Sequence, residues 1–568
     1  MKKNLTGNSF WLKVRKNKPV IWISIVCFLS QAMLLLCTGT WREDWLIQTM
    51  SLKELIVQCR ESALGINAFI FYPLLQLSDY GLRIVIFLTF LTGTIFLYGF
   101  LMKTEFFTRK ICFWIVLLYT AAPTNDSKIM MICYPYTVSL CLFWVAAYLA
   151  AVQEKGKGKK KVICRAFSLA CLFISMFTES LLVFSAVIFA YFFFYNYKEK
   201  GMQAFFLRMR TTIKEHIDYV LLPFVFFYVK HTFFKPYGAM LHYNSPSWQT
   251  FLHGIWLLPA TSVKAFCGLV KNNADQVNVL SIVAIIVAAT LLVFRKRYKR
   301  NTREREERTG EAGLRQDMWI LAAGILCFIL GVFPYLVIRQ EKYDINWLGG
   351  KDAILLGLGF AMILISLACM LVRRRETRIL LALIPVILGI FHSNKMYLYY
   401  QDDWYHQLQL MDEIKTNISI LEHDTFLVIY SDGSYHDTTR YYTMNGGAKR
   451  VTEEASRFFM SDPSMIGWLD NMPEWAYMKR NWMSNYDPDE KKLDGVILIN
   501  DKYMGTEKLL WMKFWEIFDK DRFRYEISKT KDIRFMELTD GQYERIYHKF
   551  LEGNLTEDFI KNVCLENL

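Results

Sequence analysis

The sequence predicts a polytopic α-helical membrane protein with a small extracytoplasmic α/β domain at its C-terminal end. Three observations carry that reading. Of 568 residues, 53% are hydrophobic and 16% aromatic, and the 21% that are charged gather in short clusters between apolar runs. Several of those runs are long enough to span a bilayer rather than fill a soluble core. The charge is also uneven: residues 401–568 hold 31 of the 53 acidic and 21 of the 67 basic residues, a balance of −10, which leaves +24 on residues 1–400.

The N-terminal stretch MKKNLTGNSFWLKVRKNKPV is basic and precedes an apolar run with no small-x-small cleavage site, so residues 20–38 read as an uncleaved first span. Further spans are expected near 84–102, 111–123, 132–152, 163–178, 180–196, 218–234, 277–294, 318–338, 353–372 and 379–397. Basic clusters set the orientation. Lys2, Lys3, Lys13, Arg15, Lys16 and Lys18 place the N-terminus in the cytoplasm. Alternating spans then put Lys103/Arg109/Lys110, EKGKGKKK (154–161), Lys198 to Lys214, RKRYKRNTREREER (295–308) and RRR (373–375) on that same side. The expectation is about eleven spans in the plasma membrane, N-in and C-out. Loops 39–83, 124–131, 235–276 and 339–352, and everything after about residue 398, would lie outside.

Within this frame, 197–217 reads as an interfacial helix, SLKELIVQCRESAL as a surface helix, and INAFIFYPLLQL as a stretch dipping into the membrane. The division is a membrane domain over 1–400 and an α/β domain over 401–568. In the latter, TFLVIY (425–430) and GVILIN (495–500) read as buried strands and LLWMKFWEIF (509–518) as a helix. RFRYEIS and DIRFMEL read as a closing hairpin. Asp402-Asp403-Trp404 reads as the start of a helix after the last span.

Most of the twelve Cys lie in apolar runs and read as packing residues, with no disulfide framework in the tail. No stacking-and-basic motif points to nucleic acid. The chain has no GxxxxGK[ST] loop, HExxH, CxxC or GxSxG, which argues against a nucleotide-driven pump or a metalloprotease. The span interiors carry almost no ionisable residues, unlike an ion-coupled transporter. Charged groups gather instead at the outer ends: Glu179, Lys230, His231, Arg339, His392 and Lys395, with Glu43, Asp44, Asp79, Asp126, Lys128, Lys235 and Lys351 in loops. Lys128 would bind a phosphate as a point charge, with Tyr134 shaping the top of the next helix or serving as an interfacial tyrosine. Glu179, in the tight FTES turn, is either a functional carboxylate or a helix-end cap.

The stretch WREDW (41–45) places Glu43 and Asp44 in the first outer loop, just after the first span. This arrangement resembles the GT-C superfamily of membrane glycosyltransferases. The likeness covers roughly residues 10–400 as architecture, with WREDW as the motif-level match, and is greatest to bacterial surface-polysaccharide members. The resemblance implies transfer of a sugar from a polyprenyl-phosphate donor to a surface-glycan or glycolipid acceptor beside membrane lipid. Asp44 would take the acceptor proton as general base and Glu43 would orient it. Arg42, Lys128, Lys235 and Arg339 would stabilise the leaving phosphate, with Tyr134, His231 and Lys351 around the substrate. The family's second acidic position carries to Glu179. No cofactor is implied beyond a divalent cation (Mg or Mn) that an acidic pair is able to hold. Alternatives are a lipid-linked polysaccharide polymerase or ligase, a flippase-like transporter, or a non-catalytic scaffold with an acidic tail.

Overall fold

The computed structural model describes residues 5–195, 202–237, 247–298, 310–338, 345, 350–372, 374–430, 440–453, 456–470, 486, 492–500, 502–530 and 532–565. The chain is mostly helical, with a four-stranded sheet near its C-terminal end. Among the described residues four helical stretches are long and apolar enough to cross a membrane: Asp79–Thr104, Met131–Lys155, Gln316–Val337 and Glu376–Thr416. A fifth crossing is present if Trp248–Ala274 and Val279–Leu292, bent by 87° at their junction, count as one broken span. The expectation of about eleven spans is therefore met only for four or five.

The reason is length. The segment expected to span at 111–123 forms a 13-residue helix, Arg109–Ala121. At 1.5 Å per residue that is about 20 Å, short of the roughly 30 Å hydrocarbon core. Helices Lys159–Ser175 and Ile217–Phe233 have 17 residues each, and the apolar run at 180–196 breaks at Ser185 into Ser180–Phe184 and Ala186–Phe194.

Three expectations are corrected. The stretch 235–276, expected as an outer loop, contains the 27-residue helix Trp248–Ala274, started by a capping box between Ser247 and Thr250. Its Lys264, Lys271 and Pro259 dilute the apolar signal along the sequence. RFRYEIS, expected as a strand, lies in helix Lys520–Lys529. Its alternating residues mimic a strand, but the Asp519 carboxylate accepts from the Arg522 amide at 3.0 Å, and Arg522 pairs with Glu526 one turn on at 2.9 Å. Asp402-Asp403-Trp404 does not begin a helix. It lies deep in Arg375–Thr416, a continuous helix of 42 residues.

That long helix crosses from the bundle into the tail without a break at residue 400. Beyond it stand β1 (Thr425–Tyr430), β2 (Phe458–Met460), β3 (Gly495–Ile499) and β4 (Ile533–Glu537), in the order β2-β1-β3-β4. β1 pairs in parallel with β2 and β3, and β4 closes the edge antiparallel to β3. β1 is buried on both faces, which is why it reads as an unbroken apolar run. Phe426, Val428 and Tyr430 pack with Leu410 and Ile414 of the long helix. Leu427 and Ile429, on the opposite face, join a cluster that also contains Trp41, Trp45, Ile129 and Tyr400. The tail and the end of the bundle thus share one core. Helices Leu52–Glu61, Met202–Glu215 and Thr506–Phe518 form where the sequence predicts them.

Candidate functional site

Glu43 and Asp44 sit where the first loop, the 126–133 turn, the long helix and the tail meet. The loop reaches that point through two left-handed residues, Gly39 at φ 129° and Arg42 at φ 49°. A side chain at Gly39 would put its Cβ 2.7 Å from the Trp404 ring, so glycine permits both the backbone and the close approach. The long helix supplies the platform. Trp41 Nε1 donates to the Tyr400 carbonyl at 2.9 Å, Trp45 Nε1 to Gln407 Oε1 at 3.2 Å, and the Thr38 amide to Gln401 Oε1 at 3.0 Å. The Trp45 and Trp404 rings lie 6.1 Å apart.

Asp44 opens the short helix Asp44–Gln48, where a carboxylate suits the helix dipole. It is 2% exposed. Both its oxygens are engaged: Oδ2 accepts from the Met131 amide at 2.9 Å and Oδ1 from the Ile132 amide at 2.7 Å. Burial outweighs these bonds and the nearby Arg83 charge, and pushes the carboxyl up to about 7. Arg83 is fully buried, donates to the carbonyls of Ile129 and Gly39, and stacks 5.0 Å over the Trp41 ring. Asp44 and Arg83 together stitch the first loop to the 126–133 turn.

Glu43 has a different setting. It is half-buried, and Oε1 accepts from the Tyr442 hydroxyl at 3.2 Å. Burial, reinforced by Glu43, pushes the Tyr442 phenol up, so it remains a donor at neutral pH. Tyr442 belongs to helix Tyr441–Thr452 of the tail. Gly446 of that helix rests on Trp45, and Arg450 lies 5.8 Å over the same ring. The acidic pair is therefore divided: Asp44 faces inward on backbone amides, Glu43 faces the tail.

A second polar cluster adjoins them. Asp126 and His392, both buried, form a pair at 3.3 Å. Burial pushes the Asp126 carboxyl up, but the His392 hydrogen bond and charge and the Lys128 ammonium outweigh it and hold the carboxyl below its ordinary value. Lys128 turns inward: Nζ donates to the Asn125 carbonyl at 2.7 Å and lies 4.8 Å and 5.6 Å from the Phe90 and Tyr397 rings. Burial, opposed by Asp126, pulls its ammonium down to about 8. Gly350 packs against the Asp126 and Ser127 amides, which brings the 350–353 turn to the same place.

The expected site residues fall into groups. Arg42, Glu43 and Asp44 lie together on the first loop, whereas Lys128 turns into the adjoining Asp126–His392 cluster. Tyr134 bonds Thr89 at 2.9 Å and serves helix packing. Glu179 pairs with Lys230, and its neighbour Ser180 is tied through Tyr335 (3.1 Å) to the Lys351 carbonyl (3.4 Å). His231 and Lys235 are exposed at and beyond the end of helix Ile217–Phe233. Arg339 lies outside the described residues, as do His242 and Lys342. Sequence reasoning missed Arg83, Gln401, Gln407 and Tyr442 as members of this assembly. One signal was present: QDDWYHQ (401–407) puts seven polar or aromatic-polar residues on two consecutive turns of the long helix, and DDW echoes EDW.

Among the described residues no group of three or more His, Cys, Asp or Glu side chains converges as a metal site. A cavity of about 330 Å³ lies away from the acidic pair; its apolar walls include Leu182 and Val183, which follow Glu179 and Ser180 in the chain. No family model, curated protein or solved structure matches the chain.

Proposed function

We propose that the chain is an integral membrane glycosyltransferase of the GT-C type, moving a sugar from a polyprenyl-phosphate donor to a cell-surface glycan or glycolipid acceptor at the outer membrane face. The observation that carries this reading is the first-loop acidic pair, built into a junction of loops, long helix and tail rather than left as solvated surface. A hydroxyl acceptor needs a carboxylate within hydrogen-bond reach to take its proton as the sugar–phosphate bond breaks. The geometry favours Glu43 for that contact, because one oxygen accepts from Tyr442 and the side chain is half open. Asp44 acts as a positioning residue that holds the loop against the Met131 and Ile132 amides. Arg42, buried on the same loop, is the proposed cation adjacent to the pair in the chain.

The test is turnover of polyprenyl-phosphate sugars by the purified full chain, compared with Glu43→Gln and Asp44→Asn. Glu43→Gln is expected to abolish transfer with the thermal transition unchanged. Asp44→Asn is expected to lower both. A Glu43→Gln protein that turns over at the parent rate sinks the role of Glu43, and no acceptor-dependent turnover by the parent with any such donor sinks the reaction class.

A further inference from the structure

Helix Thr506–Phe518 of the tail is apolar on two opposite faces. One face is accounted for. Leu509, Met512 and Lys513 are buried, with Lys513 donating to Thr38 at 3.1 Å and to Glu516 at 2.8 Å, while Glu516 accepts from the Tyr405 hydroxyl at 2.8 Å. The other face carries Leu510, Trp511, Phe514 and Phe518 in the open, Trp511 at 51% and Phe518 at 72% exposure. A helix on a water-facing surface normally places charged residues there. This one presents a row of aromatic rings in contact with one another, Trp511–Phe514 at 5.8 Å and Phe514–Phe518 at 4.9 Å between centroids.

Its location says what covers it. Lys513 Nζ lies 5.7 Å over the ring of Tyr80, in the first turn of Asp79–Thr104, one of the helices apolar and long enough to cross a membrane. The first turn of a spanning helix stands at the membrane–water boundary. Tyr80, Leu77 and Tyr72, beside that boundary, are also open. Tryptophan and tyrosine are the residues that favour this boundary, with an apolar body in the acyl region and a polar edge among the headgroups. Lys520, Arg522 and Arg524 follow directly on the helix and are exposed, interleaved with Asp519 and Asp521, and Arg522 pairs with Glu526.

We infer that helix Thr506–Phe518 is an interfacial membrane seat: Trp511, Phe514 and Phe518 enter the headgroup–acyl boundary of the bilayer that the apolar helices cross. The tail is then tied at two points, to the bundle through Lys513 and Glu516 and to lipid through the aromatic row. That clamps the tail over the first loop, independently of which reaction the loop performs.

The experiment uses the full chain reconstituted in phosphatidylcholine vesicles containing a phospholipid with a diazirine on the upper acyl chain. After illumination, adducts are mapped by mass spectrometry. Adducts are expected on the Leu510–Phe518 segment as well as at Ile84 and Leu88, which are exposed on Asp79–Thr104. Phe514→Asp/Phe518→Asp is expected to lower labelling of the segment several-fold and leave Ile84 and Leu88 unchanged. Labelling of the segment at the dark-control level while Ile84 and Leu88 are labelled overturns the inference. So does capture of a second copy of the chain through a cross-linker placed at position 514. A chain in which Ile84 and Leu88 also stay unlabelled overturns the span assignment and the seat with it.

Discussion

Adjacent carboxylates need not share a task, and Glu43 and Asp44 are separated by what each one touches. Asp44 accepts two backbone amides of another segment. Asparagine keeps one acceptor oxygen and turns an NH₂ toward the second amide. Asp44→Asn is therefore expected to cost about 2–3 kcal/mol, the scale of a hydrogen bond to a charged group, and to loosen the 126–133 turn. Urea or thermal unfolding in detergent checks it. The same residue gives a pH dependence. Its folded-state value near 7 lies above the ordinary aspartate value of about 4. The folded protein thus holds a proton that the unfolded chain releases, and the contribution to stability is full below pH ~4, falls as pH rises, and is gone above pH ~7. Thermal midpoints of the parent should decline across that window more steeply than those of Asp44→Asn. Asp126 behaves oppositely at the level of pairing. Removing its closest partner with His392→Ala leaves the buried carboxylate with only Lys128 and Ser393 nearby, and a loss of about 3–5 kcal/mol is expected, whereas breaking an exposed pair with Lys549→Ala should leave stability nearly unchanged. Equal losses for His392→Ala and Lys549→Ala would refute that ranking.

Among the elements, close helix approach is set by small residues. Gly359 of Leu356–Leu371 faces Phe328 of Gly310–Ile338, where an added Cβ would sit 2.5 Å from the Phe328 nitrogen. Gly389 of the long helix would drive a Cβ into the Ala121 carbonyl of Arg109–Ala121. Both neighbours are backbone and cannot swing away, so Gly359→Ala and Gly389→Ala should force the helices apart. Overpacking of this kind costs about 1–3 kcal/mol or more. Gly541→Ala, with nothing within 4 Å of its added Cβ, is the control and should leave the melting temperature unchanged. Sequence period and capping residues made β1, β3 and helices Leu52–Glu61 and Thr506–Phe518 legible. They misread RFRYEIS, because its alternation has period two while the Asp519 cap, a single residue, decides for helix. They also missed Trp248–Ala274, whose Pro259 and lysines are tolerated because one side of the helix stays open, with Trp256 at 84% exposure.

At the scale of the whole molecule, the end of the bundle and the tail share one core, separate from the core inside the bundle. Trp41, Trp45 and Tyr400 pack in the same cluster as Leu427, Val496 and Ile546 of the tail. Deleting residues 417–568 would bare that cluster while leaving the apolar helices unchanged in sequence. The truncated chain is expected to insert but to lose its monodisperse elution and its cooperative thermal transition, and a truncated chain that keeps both would show the tail to be an independent appendage.

Composition and the spacing of apolar runs determined by themselves that this is a mostly helical protein with segments long and apolar enough to cross a membrane and a small α/β tail, because the apolar character of a run is a property of that run taken alone. The acidic pair after the first apolar run was visible for the same local reason, although that run breaks into Leu5–Ser30 and Ala32–Leu36 and is not among the helices long and apolar enough to span. Which acid faces amides and which faces Tyr442, and that DDW at 402–404 sits beneath WREDW rather than starting a helix of its own, were decided only in three dimensions. Those contacts join residues from 87 to 399 positions apart in the chain. No periodicity along a sequence encodes which distant surface will complete a half-satisfied carboxylate, because that depends on packing between elements.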